Sequence, residues 1–188
     1  MVRIITGKYK GRSLKIPKGE DIRPTSDRVK ETLFNILSSR INFENLLVLD
    51  LFAGTGALGF EALSRGAEKV FFVDNYPRAL KMIKDNAQIL GCSDKIVTVN
   101  DDALSFIDYV DEKFDLIFAD PPYMYPRIDE LVHKIWERKL LTEIGFFSLE
   151  HDARIVFTPE TTEFEIVTRR EFGKTAITIF KYREGEKL

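Results

Sequence analysis

Leu46-Leu47-Val48-Leu49-Asp50-Leu51 runs straight into Phe52-Ala53-Gly54-Thr55-Gly56-Ala57-Leu58-Gly59, and this junction decides the fold. A short apolar run, a Gly-x-Gly-x-x-Gly loop and then a helix-period segment make the strand-turn-helix that opens an α/β sheet. The glycines let the backbone turn sharply and admit a ligand with no Cβ in its way, while the helix N-terminus offers unpaired N–H groups. A nucleoside-type cofactor suits such a loop. Downstream, Val70–Val73, Ile96–Val99, Phe114–Ala119 and Phe146–Leu149 read as further buried parallel strands. Gly66 ends the segment Ala57–Arg65, and Pro77 opens a stretch with Leu80, Ile83, Ala87 and Leu90 that stops at Gly91. Phe164–Arg170 and Ala176–Tyr182, separated by Phe172-Gly173-Lys174, form a closing antiparallel hairpin.

Upstream, Arg3, Lys8, Lys10, Arg12, Lys15 and Lys18 fall within the first eighteen residues, which hold no acid. Gly7 and Gly11 flank Lys8-Tyr9-Lys10, so a small β-hairpin is expected between Arg3–Thr6 and Ser13–Ile16, closed by Pro17 and Gly19. Lys8, Lys10 and Arg12 would neutralise phosphates and Tyr9 would offer a stacking surface, unless the charges merely protect an edge strand. From an N-cap at Thr25 or Ser26, Val29, Leu33, Ile36 and Leu37 recur with the spacing of an amphipathic helix.

Composition narrows the alternatives. The 188 residues are 44% hydrophobic, enough for one compact domain, 1–188, in which 1–40 is a basic extension and 41–188 the catalytic core. Thirty acids against 28 Lys plus Arg leave a net charge of −2, so any nucleic-acid surface must be local. The longest charge-free stretch, Leu51–Phe60, is too short to span a bilayer. The N-terminus lacks a secretory signal, and the single Cys92 fits a reducing cytoplasm. Cys92, His133 and His151 show no metal-ligand spacing, so no metal is expected.

Candidate site residues lie at the strand ends. Asp74, with Asn75 beside it, falls eighteen positions past Gly56, where a carboxylate accepts ribose hydroxyl protons; it can also cap the following helix. The loop alone does not separate a dinucleotide from S-adenosylmethionine. Asp50 favours the latter, because a carboxylate there suits a cationic amino-acid moiety and repels a pyrophosphate. Asp102 ends the third strand and would accept the adenine amino group or cap a helix.

The fourth strand ends in Asp120-Pro121-Pro122-Tyr123. Two prolines remove two backbone donors, leaving carbonyl and carboxylate acceptors. Asp120 and the Pro121 carbonyl would hold an exocyclic amine off-plane and localise its lone pair. A fixed carboxylate then opposes the positive charge that grows on the amine. Tyr123 would stack on the base. These residues leave adenine N6, guanine N2 and a protein amide open as acceptors.

With these motifs in place, the chain resembles the class I S-adenosylmethionine-dependent methyltransferases, and more narrowly the RsmD family of 16S rRNA guanine-N2 methyltransferases. The resemblance runs through Arg3-Ile4-Ile5-Thr6-Gly7 with Gly11-Arg12, the segment from Arg23-Pro24-Thr25 to Asn35-Ile36-Leu37, the Asp50–Gly59 loop and Asp120–Tyr123. Thr55 and Asp74 stand where Ser and Glu are frequent in the family. It implies a Rossmann-like, mostly parallel seven-stranded sheet with a C-terminal antiparallel hairpin. It further implies cofactor contacts from Asp50, Phe52, Ala53, Gly54, Thr55, Gly56, Asp74 and Asn75, with Asp102 and Ala103 flanking adenine. Guanine would enter at Asp120, Pro121, Pro122 and Tyr123, with Arg23, Thr25 and Arg28 lining the entrance. The expected partner is 16S rRNA, free or in an assembling small subunit, and a monomer is expected. A nicotinamide-dependent oxidoreductase and a non-catalytic RNA-binding module are the rivals: the first leaves Asp120–Tyr123 without a task, the second leaves the intact loop without one.

Overall fold

The computed structural model describes residues 2–16 and 27–185. A two-residue hairpin, β1 (Val2–Arg3) with β2 (Ser13–Leu14), precedes α1 (Asp27–Ser38). There follow β3 (Leu47–Leu51), α2 (Ala57–Arg65), β4 (Lys69–Asp74), α3 (Pro77–Leu90), β5 (Ile96–Asn100), α4 (Ala103–Tyr109), β6 (Phe114–Ala119) and α5 (Ile128–Glu137). The chain then adds β7 (Leu141–Asp152), β8 (Glu165–Phe172) and β9 (Thr175–Lys181). Seven strands form one sheet in the order β5-β4-β3-β6-β7-β9-β8, with β9 antiparallel to both of its neighbours and the pairs from β5 to β7 parallel.

Both faces of the sheet are covered, which is why its strands read as continuous apolar runs. Val48, Val70, Phe72, Leu116 and Phe118 point to the layer of α1, α2 and α3. The alternate residues Leu49, Leu51, Val73, Ile117 and Ala119 point to α4 and α5. Pro77 sits in the first turn of α3 and Gly91 ends it at φ 69°, as the sequence predicts. Gly59 answers a different need: a Cβ there would lie 2.3 Å from the Phe72 ring, so its absence lets α2 lie close on β4.

Two expectations are corrected. The expected N-terminal hairpin is present, with two paired residues per strand, but Tyr9 is buried, 7% exposed, in the core under α2 and α3, so its ring cannot stack on a base. The alternating Lys-Tyr-Lys pattern reads as solvent-facing, but Tyr9 N–H donates to Ser64 Oγ and turns the ring inward. The fifth parallel strand is also longer than its apolar run: β7 begins at Leu141, and its register against β6 shifts between Phe114 and Leu116. The expected N-cap at Thr25 or Ser26, with Pro17 and Gly19, lies outside the described residues.

Candidate active site

The sheet order reverses at β3, with β4 on one side and β6 on the other, so a crevice opens beyond the C-terminal ends of β3 and β6. A cavity of about 760 Å³ occupies it. One wall is the glycine loop, with Asp50, Phe52, Ala53, Gly54 and Thr55, and facing it stand Asp120, Pro121, Pro122 and Tyr123. The two motifs, some seventy residues apart in sequence, therefore share one chamber. Arg28 and Val29 at the start of α1 reach the same cavity.

Carboxylates at the strand ends shape the loop. Asp50, 2% exposed, accepts the Gly59 N–H at 2.9 Å. Burial pushes its pKa well above the ordinary carboxylate value; the Gly59 N–H opposes that shift and the charges of Asp120 and Asp74 add to it. Asp74 on β4 receives Gly54 N–H on one oxygen and Tyr76 N–H on the other, each at 2.8 Å. It thus holds the loop and the entry to α3 together. Asp102 does cap α4: its Oδ1 accepts Leu104 N–H at 3.0 Å and Ser105 N–H at 3.2 Å, leaving Oδ2 outside the cap. Asp74, Asn75, Asp102 and Ala103 do not line the cavity; they sit beside it at the ends of β4 and β5.

The proline turn is built as an acceptor. Tyr125 N–H donates to the Pro122 carbonyl at 2.9 Å, closing the turn, while among the described residues no donor reaches the Pro121 carbonyl. Phe52 at φ 58° and Met124 at φ 60° are non-glycine residues in the left-handed region, and both line the chamber. Such strain persists where surrounding contacts dictate the backbone. The Phe52 ring meets Tyr125 edge-on at 5.2 Å and bridges the two loops. Tyr123 is 57% exposed, at the mouth.

The far wall was not foreseen. Glu150 and Asp152 from β7 and Phe172, Gly173 and Thr175 from the β8–β9 turn also line the cavity. Arg154 grips Asp152 with Nε at 2.9 Å and a terminal nitrogen at 2.7 Å, holding its carboxyl well below the usual range; the Tyr123 hydroxyl adds to that effect. His151 is buried between Thr178 Oγ1 and the Asp152 carbonyl, and burial lowers its basicity. The available signal was positional: Asp152 ends its strand as Asp50 and Asp74 nearly or fully end theirs.

The expected RNA contacts divide. Arg28 is at the cavity, whereas Lys8, Lys10 and Arg12 are exposed on the hairpin turn. Lys8 N–H is bonded to the Ser64 carbonyl, at the opposite end of α2 from the glycine loop. Arg23 and Thr25 lie outside the described residues. No helix among the described residues is long and apolar enough to cross a membrane.

Comparison with known proteins gives a consistent picture. Residues 2–181 match the family described as Conserved hypothetical protein 95. The chain is 40% identical over 186 residues to Bacillus subtilis (strain 168) YlbH, provisionally named an rRNA methyltransferase, covering 97% of this chain and 100% of that one. It is 38% identical to the ribosomal RNA small subunit methyltransferase D of Haemophilus influenzae, over 85% of this chain and 83% of the other. The solved structure of Escherichia coli yhhF, provisionally described as a methyltransferase, superposes with a TM-score of 0.85 at 29% identity, covering 96% and 97% of the two chains.

Proposed function

The chain belongs to the RsmD family, and from that premise we propose that it methylates the exocyclic N2 amine of a guanine in bacterial 16S rRNA, using S-adenosylmethionine. One observation carries the reading: the glycine loop and Asp120–Tyr123 face each other across one cavity that Asp50 also lines, its charged form disfavoured first by burial and then by the charges of Asp120 and Asp74. Three acids crowded together favour a cationic ligand and disfavour a pyrophosphate. That electrostatic fit also argues against the oxidoreductase rival.

In this proposal Phe52, Ala53, Gly54, Thr55 and Gly56 cradle the cofactor, and Asp50 faces its amino-acid end. Asp74 and Asn75 meet the ribose. Each Asp74 oxygen has a second lone pair beyond the backbone N–H it already takes. Asp102 Oδ2 and Ala103 border the adenine. When bound, S-adenosylmethionine supplies an electrophilic methyl group.

The chain's own contribution is to prepare the acceptor. Asp120 and the Pro121 carbonyl take the two N–H groups of the amine, drawing its lone pair out of conjugation. Tyr123 at the mouth stacks against the base and excludes water from it. As positive charge moves onto the amine, the Asp120 carboxylate opposes it more strongly than in the ground state. Arg28 contacts the neighbouring phosphate, and Lys8, Lys10 and Arg12 contact RNA farther off; Arg23 and Thr25 belong to the same entrance.

Mass mapping of 16S rRNA from cells lacking the protein tests the assignment. The expected result is the loss of one methyl group on a guanine N2, restored by wild-type protein and not by Asp120→Ala. A missing methyl on adenine would overturn the guanine assignment, and an unchanged rRNA would overturn the function. Calorimetric titration with S-adenosylmethionine and NAD separates the rivals, with binding expected for the first alone.

A further inference from the structure

A second recess lies at the other end of the molecule. It is an open groove of about 590 Å³ between the turn of the N-terminal hairpin and the segment that follows α1. Thr6, Ser38, Ser39, Arg40, Asn42 and Arg65 supply its polar lining, and among the described residues no carboxylate lines it. In a chain with an excess of acids, a recess of hydroxyls, one amide and two guanidinium groups is selective for an anion.

The two arginines differ. Arg65 is spent on the buried Glu61, 3.0 Å away, and on Ser38 Oγ at 3.2 Å. Arg40 is exposed and makes no ion pair among the described residues. One of its terminal nitrogens donates to the Ile36 carbonyl at 2.8 Å and to Ser39 Oγ at 2.9 Å. The guanidinium is thereby held in place with its other edge open, so little side-chain freedom remains to be lost on binding.

The opposite bank is equally fixed. Gly7 lies at φ 85°, and a Cβ there would stand 1.8 Å from the Ser64 carbonyl oxygen. Lys8 N–H donates to that oxygen at 2.7 Å, which fixes the hairpin turn beside the groove, while the Lys8 ammonium lies 5.3 Å from the centre of the Tyr9 ring.

We propose that this groove binds a backbone phosphate of the RNA substrate, with Arg40 as its principal ligand and Ser39 supporting it. The inference rests on the rRNA reading above and extends it to a site remote from the chemistry. Arg28 at the cavity and Ser38 at the groove are ten residues apart on α1, or about 15 Å. An RNA molecule can therefore meet both ends of that helix at once.

The test uses the full chain with protein-free 16S rRNA and with small subunits from cells lacking the protein, measuring affinity from 50 to 300 mM KCl. Arg40→Gln is expected to weaken binding to both three- to tenfold at 100 mM and to reduce the salt slope by about 0.7–0.9, one phosphate contact. Arg40→Lys should recover the slope. Ser39→Asp should weaken binding at least as much, with an unchanged melting temperature and unchanged cofactor affinity showing that the fold persists. Wild-type affinity and slope in Arg40→Gln and Ser39→Asp, alongside normal wild-type methylation, would overturn the groove and leave the function standing. A loss confined to small subunits would point to a protein partner and equally overturn it. Failure of the wild-type protein to bind or methylate rRNA would remove both readings.

Discussion

The two ends of the α1–α2 layer carry opposite chemistry. At the rim, Asp50 and Asp74 turn their carboxylates onto backbone N–H groups of the glycine loop and the α3 entry, and Asp120 shares a cavity with Asp50. At the foot, a hairpin with Lys8, Lys10 and Arg12 is fastened beside Arg40. The rim resists a polyanion and welcomes a cation or an amine; the foot does the reverse. The difference teaches that a nucleic acid need not be attracted by the site that modifies it. On the proposed function, phosphates would be held where charge favours them and only a base would enter the acidic chamber.

The most damaging way to break this arrangement is to unfasten the foot. Glu61 is fully buried, takes the Ile5 and Thr6 N–H groups at 2.7 and 3.1 Å, and pairs with Arg65. Glu61→Ala strands that guanidinium and two backbone donors, and should cost about 3–5 kcal/mol in urea unfolding. A loss below 1 kcal/mol would mean the hairpin is loosely attached. At the rim, Asp120→Ala should slow methyl transfer to rRNA about 100- to 1000-fold, measured with radiolabelled cofactor. Cofactor binding should survive; near-normal turnover would detach Asp120 from the chemistry.

The comparison is sharpened by neutralising the hairpin charges. Replacing Lys8, Lys10 and Arg12 together with Gln should flatten the salt dependence of RNA binding by about two units of slope and leave cofactor affinity unchanged. An unaltered slope would deny the hairpin any phosphate contact. The smallest effect concerns His151, whose buried ring is less basic folded than unfolded. The unfolded chain therefore binds more protons as pH falls below about 6.5, so stability is present above that pH and is lost below it. His151→Gln should remove up to about 1.4 kcal/mol per pH unit from that acid slope in denaturation curves.

The sequence made some of this architecture readable and hid the rest, for physical reasons. The run from Leu46 to Gly59 encodes a strand, a turn and a helix in consecutive residues, so local rules suffice. Asp120–Tyr123 is legible likewise, because two prolines dictate the turn wherever the strand ends. Glu150, Asp152 and the Phe172–Thr175 turn entered the cavity unannounced, since only the pairing of β7 with β6 and of β9 with β7 brings them there. Those pairings span dozens of residues and leave no periodic trace. Tyr9 misled because its burial depends on Ser64, fifty-five positions away. Asp102 is open to two roles in the sequence, and the structure shows one of them, the α4 cap, made by Oδ1 alone.

Helix α1 touches the cavity with Arg28 and Val29 and the groove with Ser38, and it is anchored between them by the buried Lys30, whose ammonium donates to the Arg3 carbonyl at 2.5 Å. A rod pinned in this way has a constant length. If RNA engages both of its tips, the enzyme selects its nucleotide as a caliper does, by the offset between a phosphate and an extruded base, so that the shape of the folded RNA outweighs the letters around the target.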